Sequence, residues 1–108
     1  MDVEFTTRAD ERLEAIYDHI TESSGFPRRA AGFVAELSRQ TRQLPLLATV
    51  LPSFYRSPVS GYAFARLPYR GYLLIYTVVD GRGIVVVDFW HRVRSLRALT
   101  RSLRDFEP

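Results

Sequence analysis

Tyr72-Leu73-Leu74-Ile75-Tyr76-Thr77-Val78-Val79, then Asp80-Gly81-Arg82-Gly83, then Ile84-Val85-Val86-Val87-Asp88-Phe89-Trp90 is the stretch that decides the fold. The first run is apolar on both faces and rich in aromatic and β-branched side chains, as a strand central in its sheet must be. The glycine-rich tetrapeptide makes a tight turn, so the second run returns antiparallel to the first. Upstream, Tyr62 to Leu67 alternates Tyr62, Phe64 and Arg66 with Ala63, Ala65 and Leu67, and the small side suits close packing of helices. Pro68-Tyr69-Arg70-Gly71 turns that strand into the next. The C-terminal half is therefore a three-stranded antiparallel meander.

Outward from the meander, Val3 to Thr6 reads as a short strand, and Thr7 with Asp10 resembles a capping box at a helix start. Ala9, Leu13, Ile16, Tyr17 and Ile20 then recur at helical spacing, with Asp10, Glu11, Glu14, Asp18 and Glu22 on an acidic outer face. Ser23-Ser24-Gly25 interrupts, and Pro27 opens a second helix whose stripe is Ala30, Phe33, Val34, Leu37, Thr41 and Leu44. So short a link makes an antiparallel helical hairpin. Pro45 closes it, Leu46 to Ser60 reads as an irregular crossing, and Ser95 to Leu103 as a short arginine-rich helix. The expected fold is α+β in one domain, residues 1–108: an N-terminal strand, a helical hairpin, the meander and a short C-terminal helix. The hairpin must cover one face of the sheet, which leaves the other face free for work.

Composition narrows the function classes. Of 108 residues, 46% are hydrophobic and 25% charged, values of an ordinary globular chain. No run approaches the ~20 apolar residues of a membrane span, and Met1-Asp2-Val3-Glu4 lacks the basic start of a secretory signal. The expected compartment is the cytoplasm, with no membrane partner. With no cysteine and two distant histidines, neither a metal site nor a disulfide is expected. Gly81 and Gly83 lie between two strands and open no helix, so they cannot cradle phosphate, and no cofactor is expected. All fifteen basic residues are arginine. Residues 1–54 hold six of them against eight acids, net −2, while residues 55–108 hold nine against four, net +5. Such a basic half fits an anionic partner, either nucleic acid or an acidic peptide.

The arrangement, the run from Leu67 through Tyr76, Asp80-Gly81, and His91-Arg92-Val93-Arg94 together resemble the RelE/ParE toxin superfamily. An arginine near the end of the second strand, G-Y-x-x-x-Y in the third and H-x-x-R after the fourth look most like the ParE branch. The resemblance spans nearly the whole chain. It implies a growth-arresting toxin of a type II toxin-antitoxin module, of the kind that stabilises plasmids, neutralised by a cognate antitoxin whose helical segment wraps round it. ParE-like members poison DNA gyrase, whereas RelE-like members cut messenger RNA on the ribosome. The strand arginine that RelE-type nucleases use is matched here by Leu73, and their late tyrosine has no counterpart among Leu96, Leu99 and Leu103; Arg92 alone matches. The departures favour the gyrase inhibitor. A ribosome-dependent nuclease and a non-toxic binding partner stay as alternatives.

Read for their own chemistry, few residues could cleave RNA, which needs a proton acceptor and donors for the crowded phosphate. His91, Arg92 and Arg66 are the candidates. By alternation His91 belongs on the side of Val85, Val87 and Phe89, with Asp88 and Trp90 opposite. Tyr62, Phe64 and Arg66, joined by Tyr76 if it aligns with them, would form an aromatic and guanidinium platform for bases or a peptide. Tyr62, Phe64, Arg66, Tyr76, Trp90, His91, Arg92 and Arg94 are thus the candidate surface for antitoxin or target. Asp88 interrupts an apolar run, and its carboxylate needs a cation, with Arg66 or Arg92 the candidates.

Overall fold

The computed structural model describes residues 2–107. In chain order these form β1 (Val3–Phe5), α1 (Thr7–Ser24), α2 (Pro27–Gln40), a 3-10 turn (Thr41–Gln43), the single turn α3 (Leu44–Leu47), β2 (Ser53–Arg56), β3 (Ala63–Tyr69), β4 (Tyr72–Val79), β5 (Gly83–His91) and α4 (Leu96–Leu103). The five strands make one sheet in the order β1-β5-β4-β3-β2, antiparallel except that β1 runs parallel to β5. The expected α+β layout of strand, helical hairpin, meander and terminal helix is present, with one addition. The segment expected to be irregular, Leu46 to Ser60, contains β2 and the end of α3, and α2 stops at Gln40 instead of running to Pro45, which lies inside α3. The five residues between Pro52 and Pro58 carry no readable period, and four of them form β2 because the free edge of β3 offers a ladder, with a register irregularity between Ser53 and Tyr55.

Local chemistry sets the helix ends. α1 is capped by Thr6, one residue before the expected cap. The Thr6 hydroxyl accepts from the Ala9 amide at 3.0 Å and donates to the Val87 carbonyl at 3.1 Å. That second bond is tertiary and is available to Thr6 alone. Gly25, at φ 74°, ends α1 in the left-handed conformation that lets its amide reach the Thr21 carbonyl. No helix among the described residues is long and apolar enough to cross a membrane.

The sheet separates two cores. Against α1 and α2 lie Leu74, Tyr76, Ile84, Val86 and Phe89, and the small Ala65 of β3 belongs to this side. The opposite face carries Phe64, Leu73, Ile75, Val85, Val87 and Trp90, and α4 closes over it with Leu99 and Leu103. Phe106 adds edge-on contacts to Phe64 and Tyr62 at 5.7 and 6.3 Å. The expectation of a free second face is therefore corrected: so apolar a surface is stable only when covered, and the eight residues of α4 suffice to cover its centre. Ser57, buried in the β2–β3 connection, holds α4 in place by donating to the Arg104 carbonyl at 2.5 Å.

A β-bulge governs β5. Tyr76 pairs with Val86 but Ile75 pairs with Asp88, so Val87 is an extra residue. One inserted residue reverses the alternation beyond it. Val85 and Val87 face α4, yet Phe89 faces the hairpin and Trp90 faces α4. His91, paired with Tyr72, shares the side of Phe89 but not, as simple alternation predicts, that of Val85 and Val87.

The bulge also presents Asp88, fully buried, at an edge that β1 has already left. Its partners are not Arg66 or Arg92 but Arg8 and Arg12 of α1. Arg8 Nε donates to Oδ2 at 3.0 Å, with its Nη2 in ion-pair contact at 2.9 Å, and Arg12 Nε donates to Oδ1 at 2.9 Å. The Phe89 amide adds a bond to Oδ1 at 2.8 Å. Arg8 continues to α4, donating to the Ser102 carbonyl and hydroxyl at 3.0 and 2.6 Å. One carboxylate thus joins a helix from each face to the edge of the sheet.

Two predictions follow from this core. Asp88→Ala strands two guanidiniums that are about one third exposed, and should lower stability by roughly 2–4 kcal/mol, while Asp88→Asn, which keeps an acceptor for Phe89, should cost less. Equal urea midpoints for the parent and both variants would remove the carboxylate from its central role. Burial raises the pKa of Tyr76, whose hydroxyl is enclosed without a hydrogen-bond partner, and that of Tyr72, where Arg12 partly opposes it. Above the ordinary tyrosine value of about 10 the unfolded chain loses protons that the folded chain retains. Stability should therefore be complete below that pH and fall as pH rises through the folded pKa values. Tyr76→Phe should flatten the fall without lowering neutral stability; a variant as alkali-sensitive as the parent would disprove the assignment.

Candidate functional site

The strongest convergence of exposed cationic and apolar groups lies where β4 starts, β5 ends and the loop to α4 leaves the sheet. β5 emerges there as His91-Arg92-Val93-Arg94, and its outgoing side chains divide between the two faces. His91 turns toward α1. Its ring meets Tyr72 edge-on at 4.8 Å, and its Nδ1 accepts from the Val93 amide at 3.2 Å. Arg94 lies 4.0 Å over the ring of Trp90, with Arg12 at 5.8 Å. The indole is 2% exposed, and its Nε1 has no hydrogen-bond partner.

Two grooves flank this end. On the hairpin side, a hollow of about 300 Å³ has Ile16 and Phe89 in its floor and Arg12, His19, His91 and Arg94 among its rim residues. On the α4 side, a hollow of about 270 Å³ is lined by Arg66, Pro68, Leu73, Arg92 and Leu96. Arg66 also lies 5.3 Å over the ring of Phe54. Neither Arg66 nor Arg92 forms an ion pair among the described residues. Leu96 is half exposed and Val93 is 84% exposed. Apolar floors under unpaired guanidiniums suit a ligand with both acidic and apolar groups.

The candidate residues are only partly gathered. Arg66 and Arg92 share one groove, His91 and Arg94 share the other, and Trp90 lies against Arg94. The expected platform does not form. Tyr76 pairs with Ala65 and packs toward the hairpin, whereas Phe64 belongs to the opposite core. Both are buried, Phe64 between Tyr55 and Phe106. Tyr62 is half-buried against Phe106. Sequence reading passed over Arg12, His19 and Leu96. The spacing of Arg8 and Arg12, one turn apart beside the stripe of Ala9, Leu13 and Ile16, is the signal that could have marked those arginines. Among the described residues no cluster of three or more His, Cys, Asp or Glu side chains could hold a metal ion.

A larger hollow, about 490 Å³, opens at the far end of the hairpin face between α3, β3 and β4. Val78 in its wall is 45% exposed, because the hairpin does not reach this part of the sheet. The molecule therefore has apolar surface at both ends of one face.

Residues 3–96 match the family described as ParE toxin of type II toxin-antitoxin system, parDE. Among solved structures, a chromosomal ParDE TA system from P. aeruginosa is similar, with 25% identity and a TM-score of 0.65 over 84% of this chain and 95% of that one. No curated protein matches the chain.

Trp90 is the only tryptophan, so its emission reports on this site. Arg94→Ala should shift it to the red, raise quenching by acrylamide and cost about 1 kcal/mol of stability. Unchanged emission and quenching would mean that Arg94 does not cover the indole in solution.

Proposed function

Because this chain belongs to the ParE toxin family of type II toxin-antitoxin systems, we propose that it arrests growth by binding and inhibiting DNA gyrase, without chemistry of its own, and that a cognate antitoxin silences it. The observation that carries this reading is the division of side chains at the end of β5. An RNA-cleaving site needs its proton acceptor and its phosphate-gripping cations around one scissile bond. His91 lies in the groove on the hairpin side, while Arg92 and Arg66 line the groove on the other side. Leu73 lies between those two arginines and contributes only hydrocarbon. That division supports contact over catalysis and weighs against a messenger-cutting, ribosome-bound nuclease.

The antitoxin reading draws on the same surface. Exposed Val78, Val93 and Leu96 and hollows with cationic rims complement an amphipathic, acidic segment that lays its apolar side chains into them. Such a segment would pair its carboxylates with Arg66, Arg92 and Arg94 and leave little of the patch in water. The similar solved structure is of a ParDE TA system from P. aeruginosa, which supports an antitoxin as the partner. We place the whole chain, residues 1–108, in one toxin domain acting in the cytoplasm.

Induction of the chain alone in a bacterial host, with DNA and protein synthesis followed separately by pulse labelling, tests the target. DNA synthesis should fall first, purified chain should inhibit gyrase supercoiling, and any toxicity that His91→Ala retains should still strike DNA synthesis before translation. Early loss of translation with cut messenger, abolished by His91→Ala, would overturn the reading in favour of the nuclease. Unimpaired growth would leave a binding partner without toxicity.

A further inference from the structure

α4 has two unlike faces. Leu99 and Leu103 are fully buried against the sheet, whereas Arg97, Arg101 and Arg104 are exposed. Spaced four and three residues apart, these arginines stand on one side of the helix and span about 10 Å of its axis. Eight other arginines are occupied, while Arg28, Arg42 and Arg92 stand apart from one another with no carboxylate or ring partner among the described residues. Arg8, Arg12, Arg39 and Arg82 hold carboxylates, and Arg29, Arg66, Arg70 and Arg94 lie over aromatic rings. The three on α4 have neither kind of partner among the described residues, although exposed Asp105 and Glu107 follow close behind. Across the sheet, α1 exposes Asp10, Glu11, Glu14, Asp18 and Glu22. The acidic face is confined to α1, since the neighbouring α2 and the turn after it expose Arg28, Arg29, Arg39 and Arg42.

We propose that the outer face of α4 is a sequence-independent contact for the phosphate backbone of double-stranded DNA. Guanidinium groups grip phosphate oxygens bidentately, and duplex DNA offers one charge per roughly 1.7 Å of its axis. Three guanidiniums along about 10 Å can each meet a phosphate without any reach toward base edges, so they position the protein but read no sequence. An acidic peptide fits this stripe less well. Such a partner needs apolar surface to bury, whereas Leu99 and Leu103 are spent on the core and half-exposed Leu96 opens onto the Arg66–Arg92 groove instead of the stripe. The acidic face of α1 repels the same polyanion, which favours an orientation with α4 toward the DNA. This inference goes beyond the gyrase reading and stands without it, since it concerns the chain alone on bare duplex.

The test is anisotropy titration of the full chain against two labelled duplexes of unrelated sequence over a series of salt concentrations. Both duplexes should bind with affinities equal within about twofold, and log Kobs should fall against log salt with a slope of about −3, for three phosphates neutralised. The triple variant R97Q/R101Q/R104Q should bind at least about tenfold more weakly at low salt, with a slope near zero. The triple variant R97K/R101K/R104K retains the charges and should keep most of the slope, which separates lost contacts from a disturbed helix. No binding at low salt, binding that the glutamine variant leaves intact, or displacement of the duplex by polyglutamate as readily as by unlabelled duplex would each overturn the proposal. The same titration is blind to gyrase, so failure here leaves the growth-arrest experiment unaffected.

Discussion

The Asp88 carboxylate is the point on which the rest of the structure hangs. A fully buried charge is tolerated only when its lone pairs are filled and its sign is balanced, and Asp88 achieves both with Arg8, Arg12 and the Phe89 amide. The geometry requires three things at once. β1 must end at Phe5 so that the edge of β5 is free, the bulge at Val87 must turn Asp88 to that edge, and α1 must start immediately so that its first turns carry the arginines there. Thr6 joins these conditions, capping α1 while bonding to Val87. Since Arg8 also bonds Ser102, the C-terminal helix is tied to the N-terminal one through the same group.

That cluster also shapes the candidate site. The bulge that exposes Asp88 to α1 sends Phe89 and His91 to the hairpin side and Trp90 to the α4 side. The grooves on the two faces are consequences of this reversal. Without it, the side-chain order along the end of β5 would be inverted, and the apolar run from Val85 to Trp90 would meet the wrong core. Arginine serves three physical ends here: ion pairing at Asp88, coverage of aromatic rings at Trp90 and Phe54, and free charge on the outer face of α4. A lysine could neutralise charge at the third place, but its point charge would replace the planar fork poorly at the first two.

Much of the fold was legible because it rests on local periodicity. The central strands Tyr72 to Val79 and Ile84 to Trp90, the hairpin stripes and the Gly-rich turn were readable from apolar spacing and turn chemistry. β2 was not, since Ser53 to Arg56 becomes a strand only beside β3. The covering of the second sheet face was also missed. Leu99 and Leu103 looked like an ordinary stripe on a short helix, and nothing in their spacing says which surface they will meet. Of the candidate site, Arg66, Trp90, His91, Arg92 and Arg94 lie together at one end of the sheet, while Phe64 and Tyr76 are core residues on opposite faces.

The sequence by itself determined the α+β class, the order of elements, the basic character of the C-terminal half and the resemblance to the ParE branch. Each depends on neighbours within a few residues or on composition, which the linear chain states outright. Only the tertiary structure decided the partner of Asp88, the face to which His91 turns and the burial of Phe64 and Tyr76. Those outcomes rest on contacts between residues some eighty positions apart and on a single inserted residue in β5. Alternation along a strand cannot reveal such a bulge, because it exists only relative to the strand alongside.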